Sequence, residues 1–230
     1  LLAIGIIGGG LAFLLFFAGL RITTSSRAAF LQKTLPLFVL PMAFVFLKEK
    51  IGKKHLVALI LMLVGIVAIY STEIQPTAFW PNPQIGDILI IAATFLWAIE
   101  NIIARKAMIR GESNFLVSFG RMFFGSLILF GILLLSSNSN LLVSTTQDQW
   151  IYILISTAIL FGYVLTYYWS IKHINVSKAS TILLIAPVIT MILGVIFFEE
   201  PVPLIQLIGS FIILAGAYLI AGIKSEFTRI

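Results

Sequence analysis

Few side chains in this sequence could do chemistry, and the ones that stand out lie in unexpected surroundings. Lys33, Glu100 and Arg121 each fall inside a long apolar run. An ionisable group there costs about 2.5–3.5 kcal/mol to insert into a bilayer, so it needs a partner or a task. Lys33 could hold a carboxylate or phosphate, or exchange a proton. It could equally snorkel to an interface or pair with a carboxylate. Glu100 and Arg121 sit at matching depths in neighbouring runs, which predicts a buried ion pair, with Glu100 as a proton site the rival reading. Ser156, Tyr163, Thr166, Tyr167 and Ser170 recur at helical spacing and form one polar stripe. In lipid such a face turns inward, either to bond neighbouring helices or to line a solute path. Trp97, Glu100 and Asn101 make a similar cluster, and Gln32 adjoins Lys33. The candidate binding set is therefore Gln32, Lys33, Trp97, Glu100, Asn101, Arg121, Tyr163, Thr166 and Tyr167. A neutral polar and aromatic lining of this kind suits amphipathic organic solutes better than bare ions.

Other chemistries have no residues to carry them. With no cysteine there are no disulfides, thiolate metal sites or cysteine nucleophiles. Asp87 and Asp148 lie at the edges of apolar runs, and no paired His or Ser-His arrangement falls within one, so neither a metal site nor an intramembrane enzyme is expected. No Walker A pattern is present, and no cofactor is implied. The net charge of +6 comes from Lys and Arg scattered through short loops, with no basic stripe interleaved with aromatics, so nucleic acid is not an expected partner.

The elements that must position these residues are membrane helices. Hydrophobic residues make up 60% of the chain and charged ones 10%, with a mean hydropathy of +1.10, against about 25% charged in soluble domains. Eight apolar runs are long enough to span a bilayer as helices, at about residues 1–20, 26–47, 54–70, 86–105, 115–135, 150–169, 178–198 and 204–221. Loop charge gives the orientation. Eleven Lys and Arg (Lys48, Lys50, Lys53, Lys54, Arg105, Lys106, Arg110, Lys172, Lys178, Lys224 and Arg229) fall on one side and two, Arg21 and Arg27, on the other. The first side is then cytoplasmic, the C-terminus lies inside, and a multi-pass protein of the plasma (inner) membrane is expected. The first run has neither an initiating Met nor a basic lead-in, so it does not read as a signal peptide.

The sequence also repeats itself. At an offset of 151 residues Arg21 meets Lys172, Ser26 meets Ser177, Arg27 meets Lys178, Ala28 meets Ala179, Pro36 meets Pro187, Glu49 meets Glu200 and Gly65 meets Gly216, without a gap over about fifty residues. Five helices separate equivalent points, an odd number, so the two copies lie upside down to one another, an architecture common in secondary transporters. The expected organisation is a first repeat of three helices at 1–70, an outer linker at 71–85, a second repeat of five helices at 86–223 and a cytoplasmic tail at 224–230. The same offset places the start of the first copy about 65 residues before Leu1, which predicts two further helices upstream and a protein near 295 residues.

These residues resemble the EamA-type repeats of the drug/metabolite transporter superfamily. The resemblance rests on Ala18-Gly19-Leu20, Ser26-Arg27-Ala28-Ala29, Thr34-Leu35-Pro36 and Phe46-Leu47-Lys48-Glu49-Lys50. In the second copy it rests on Trp97-Ala98 with Arg105-Lys106, Ser118-Phe119-Gly120-Arg121, Ser177-Lys178-Ala179, Ala186-Pro187 and Phe197-Phe198-Glu199-Glu200. It implies an all-α bundle of eight transmembrane helices belonging to a ten-helix, five-plus-five inverted repeat. It also implies export of a small organic metabolite or amino-acid-like solute by alternating access, facilitated or coupled to protons. An ion channel would call for charge rings or a carbonyl filter, and none is visible; a channel or a non-transporting membrane scaffold is the alternative. Pro36, Pro41 and Pro187 are expected helix kinks, Pro36 freeing the Gln32 carbonyl beside Lys33. Gly5 and Gly9 form a GxxxG that predicts close packing within the bundle and, secondarily, a homodimer face. Membrane lipid is the other expected partner. Glu49 and Glu200, which end equivalent helices, read as structural, and His55 and His173 as solvated loop residues.

Overall fold

The structure is a computed structural model in which residues 1–72, 85–136 and 144–224 are described. The expected linker and C-terminal tail lie almost wholly outside those residues. Every regular element among the described residues is helical. In chain order they are α1 (Leu2–Leu20), α2 (Ser25–Gln32), α3 (Leu35–Leu47), α4 (Lys53–Tyr70), α5 (Ile85–Ile109), α6 (Asn114–Leu135), α7 (Gln147–His173), α8 (Val176–Ile182), α9 (Ala186–Phe198) and α10 (Leu204–Ala221). Taking α2 with α3 and α8 with α9, they form eight spans long and apolar enough to cross a bilayer. The chain is a polytopic, multi-pass membrane protein. Large side chains such as Phe44, Phe197, Phe198 and Phe211 are exposed on its flanks, as a lipid solvent requires.

Two spans depart from continuous helices, and both do so just before a proline. After Gln32 the chain turns through Lys33 and Thr34 and restarts at Leu35, with Pro36 in the first turn of α3. At the equivalent place α8 tightens through a 3₁₀ turn, Leu183–Ile185, and restarts as α9 with Pro187 in its first turn. A proline has no N–H to donate and tolerates the first helical turn, so the break falls where it is least costly. Pro41 lies inside α3 without ending it. A third departure is a π-helical stretch, Gly5–Leu11, inside α1. The sixth span is longer than its apolar run, extending at both ends to Gln147–His173 behind a Thr146–Gln149 capping box.

Glycines bring the helices together. Gly5 and Gly9 press α1 onto α6: a Cβ on Gly5 would meet Phe124 and the Gly120 carbonyl, and one on Gly9 the Arg121 carbonyl and Gly125. Helices α4 and α10 pack most intimately, and their contacts obey the 151-residue offset. A Cβ on Gly65 would lie 2.5 Å from the Gly209 carbonyl oxygen, and one on Gly216 would lie 2.9 Å from that of Ala58. Adding 151 to Gly65 and to Ala58 yields Gly216 and Gly209, so the two contacts are the same contact seen from either side of a local two-fold axis.

Replacing Gly65 by Leu forces this seam apart and should cost about 1–3 kcal/mol. It should appear as a lower unfolding midpoint in detergent. Gly131→Ala, where nothing lies within 4 Å, should leave the midpoint unchanged or raise it.

Candidate functional site

The two broken helices face each other across a cavity of about 220 Å³. Gln32 and Lys33 line it from the break between α2 and α3, and their equivalents at the 151-residue offset, Leu183 and Leu184, line it from the 3₁₀ turn after α8. Phe13 and Phe16 of α1, Trp97 and Asn101 of α5, Arg121 of α6 and Leu160, Tyr163 and Tyr167 of α7 complete most of the wall. Trp97 is fixed there because its indole N–H donates to the Gly8 carbonyl at 3.0 Å. Its ring meets Phe13 edge-on at 5.3 Å and Phe16 at 5.4 Å. Tyr163 and Tyr167 stack at 5.8 Å.

The floor is a buried polar cluster. The Tyr168 hydroxyl donates a hydrogen bond to Glu100 Oε1, and Arg121 Nη1 reaches Glu100 Oε2 at 3.4 Å and the Tyr168 hydroxyl at 3.3 Å. Glu100 is fully buried and Arg121 nearly so. The guanidinium carbon also lies 5.8 Å from the rings of Phe13 and Tyr168. Gly8 makes room for this cluster, since a Cβ there would land on the Glu100 side chain. The pair therefore neutralises Arg121, and Glu100 stays behind it rather than lining the cavity.

Three polar groups on the wall lack partners among the described residues. Arg121 Nε and the Tyr167 hydroxyl are buried with no hydrogen bond, and the Lys33 ammonium has neither a hydrogen bond nor a carboxylate to pair with. A buried group left unsatisfied costs about 1–3 kcal/mol. Two of the three are donors only and the third can donate, so the cavity presents donors and one uncompensated positive charge.

Two residues lie elsewhere than the sequence predicts. Thr166, expected on an inward stripe, is exposed, and its hydroxyl donates to the Gly162 and Tyr163 carbonyls of its own helix at 2.8 and 3.0 Å. The buried face of α7 is centred on Val164, Tyr168 and Ile171, displaced round the helix from the polar stripe, so Tyr167 sits at its edge and Thr166 beyond it. His55, expected to be solvated, is buried, with Nε2 at 3.1 Å from Thr181 Oγ1. His173 is exposed. The residue most clearly missed is Tyr168, whose only sequence signal is its place beside Tyr167. Phe13 and Phe16 carry no signal beyond an apolar run.

At the lysine-rich end the halves are joined. Glu49, at 6% exposure, accepts hydrogen bonds from the Val176 and Ser177 amides at 2.7 and 3.1 Å and from the Ser177 hydroxyl at 2.6 Å. Arg105 donates to the Ile171 and Lys172 carbonyls at 2.5 and 2.6 Å. At the opposite end Arg27 pairs with Asp87, which also accepts from Thr23 Oγ1 at 2.8 Å.

Removing one member of the buried pair should be costlier than removing both. Arg121→Met or Glu100→Leu alone should destabilise by about 3–5 kcal/mol, and the double variant by much less. A double-mutant cycle on unfolding in detergent measures this.

The profile of the EamA-like transporter family matches residues 1–71 and 84–222. Among curated relatives, the uncharacterized transporters YyaM and YetK of Bacillus subtilis (strain 168) are 25% and 27% identical, over 91% and 87% of this chain. The chain spans 68% and 61% of their lengths. An uncharacterized transporter of Archaeoglobus fulgidus is 28% identical over 95% of this chain and 75% of its own. A solved crystal structure shares the fold with a TM-score of 0.73, at 18% identity, over 94% of this chain and 76% of that one. With nearly its whole length matched, the chain belongs to the EamA-like transporter family.

Proposed function

We propose that the protein is a secondary transporter that moves a small organic anion, one carboxylate on an apolar or aromatic body, by alternating access between two inverted repeats. The cavity carries this reading. It lies where the broken helices of the two repeats meet, it has room for about seven waters or one compact solute, and it offers an uncompensated cation beside aromatic walls. Arg121 is already neutralised by Glu100, so the charge that selects the solute is that of Lys33. A carboxylate between Lys33 and the free Nε of Arg121 would satisfy both donors, with Tyr167 and Asn101 beside it. Phe13, Phe16 and Trp97 would take the apolar body of such a metabolite. Burial in this low-dielectric site strengthens the contact with Lys33.

Discontinuous helices at the midplane are where inverted-repeat transporters place their solute, and freed carbonyls there are tolerated because they line a cavity. The lysine-rich end is read as cytoplasmic and the direction as export, with facilitated movement or proton coupling the alternatives for drive. Glu100, sealed behind Arg121 and Tyr168, is read as holding the arginine in place rather than as a proton carrier. A five-helix first repeat would complete the bundle. The Gly5–Gly9 seam is occupied within the chain and leaves no need for a homodimer.

Lys33→Leu tests the proposal cleanly, because the equivalent position in the other repeat is already Leu184 and the fold accepts an apolar residue there. The variant should remain folded. Binding of phenylacetate, read as thermal stabilisation or vesicle uptake, should weaken about 10- to 100-fold, the loss of a hydrogen bond to a charged group. Phenethylamine, of the same shape with the opposite charge, should bind neither protein. Equal binding of acid and amine by the unaltered protein would overturn the assignment.

A further inference from the structure

Equivalent helix ends of the two repeats carry the same groups but use them differently. Helices α3 and α9 each end in a left-handed residue, Lys48 at φ 56° and Glu199 at φ 54°, one offset of 151 apart. The next amide folds back in each case, Glu49 N to the Ala43 carbonyl and Glu200 N to that of Gly194. A non-glycine residue in this conformation is uncommon, so its presence at both ends marks a shared device. Each left-handed residue is succeeded by a carboxylate, Glu49 or Glu200, aimed from a fixed turn.

At the lysine-rich end Glu49 reaches across to the other repeat and caps α8 through Val176 and Ser177. Asn175, the residue in the capping position of α8 itself, makes no capping bond, and its buried Oδ1 has no partner among the described residues. At the opposite end the roles are reversed. Helix α2 is capped by its own Thr24, which accepts from Arg27 N at 3.2 Å, and among the described residues the Glu200 side chain makes no hydrogen bond to α2. The Glu200 carboxylate lies instead over Gly194 of its own helix, in the place a Cβ would fill. The residue equivalent to Gly194 is Ala43, so Glu49 has no such resting place.

We infer that Glu49 and Glu200 are alternating latches, each closing one end of the transporter by capping a helix of the other repeat while its counterpart is parked. This rests on the alternating-access reading above. In the opposite state Glu49 releases α8, and Asn175 Oδ1 accepts from the Lys178 amide as Thr24 now accepts from Arg27. Glu200 then leaves Gly194 and accepts from the Ser25 and Ser26 amides and the Ser26 hydroxyl. Each helix start keeps a cap in both states: a carboxylate from the other repeat at the closed end, a residue of its own at the open end. An unsatisfied helix start is destabilising, and charge-assisted caps are the stronger kind, so the exchange closes one end without leaving the other uncapped.

The natural absence of cysteine makes the test direct. A single reporter, Ser180→Cys, on the cavity wall, is labelled in oriented vesicles with a membrane-impermeant maleimide added to one side at a time. Glu49→Gln should raise labelling from the lysine-rich side about tenfold, since it weakens the closed latch by loss of its charge. Gly194→Ala, at the far end, should do the same by evicting Glu200 from its resting place, and it keeps the test decisive if the Glu49 variant folds poorly. Glu200→Gln should leave that labelling unchanged or lower it. If the parent reporter is labelled from both sides but neither Glu49→Gln nor Gly194→Ala shifts the balance, the latches are overturned and alternating access stands. If the parent reporter and every variant are labelled from one side only, alternating access itself fails.

Discussion

The carboxylate of Glu100 is the group on which the interior of this bundle depends. It is fully buried and meets groups from three other spans: Arg121 from α6, Tyr168 from α7 and Gly8 from α1. In a bilayer such a charge has no water to turn to, so its neighbours must supply every contact. That requirement accounts for several features otherwise unrelated in sequence. Gly8 has no side chain because Glu100 occupies the space. Trp97, one turn before Glu100, is held by the Gly8 carbonyl, where the glycine-rich π-helical stretch departs from regular α-helix. Arg121 can stand at the edge of a cavity without making it strongly cationic, because its charge is cancelled from behind.

Cancelling one cation gives the other its meaning. Lys33 and Leu184 are equivalent in the repeat and face the same cavity, so the pseudo-symmetric frame supplies the space and breaks its own symmetry there with a single charge. The helix breaks that expose these positions come from Pro36 and Pro187, which occur in both copies and serve the frame. The charge occurs in one copy only, so the frame does not require it, and the proposed function assigns it to the solute. An equal distribution, with lysine on both sides, would place two uncompensated cations across a small cavity with no acid to offset them.

Much of the frame is legible in the sequence, because span length is a coarse signal that a bilayer enforces and the 151-residue repeat recurs in the matched helix breaks and the α4–α10 seam. The helix Leu204–Ala221 agrees with its apolar run to the residue, and matching depth alone pairs Glu100 with Arg121. The features that escape depend on rotation about a helix axis. Thr166 and Tyr167 are adjacent and equally polar, yet one faces outward and the other the cavity. A stripe spread over much of one face does not say which edge turns in when the buried face is set by Val164, Tyr168 and Ile171. Tyr168 is missed for the same reason. His55 is misplaced because it stands among lysines at a helix start, where sequence reads a loop; only the return of α8 over that start buries it against Thr181.

Under the alternating access proposed above, the protein must hold its two states within a few kcal/mol of each other, or one will never be visited. The contacts at the lysine-rich end are of the kind that such a balance would need. Three hydrogen bonds to Glu49 hold that end together, but among the described residues they leave Asn175 Oδ1 buried and unpartnered, a cost of about 1–3 kcal/mol, and Lys48 in a left-handed conformation. Because the same groups recur at the other end, the proposed exchange of caps would nearly cancel between states, and small differences would decide which is preferred. Ala43 against Gly194 is such a difference. One methyl group denies Glu49 a resting place and its absence grants Glu200 one, so under the proposed latches a preference for closure at the lysine-rich end would be written at a position that does not line the cavity.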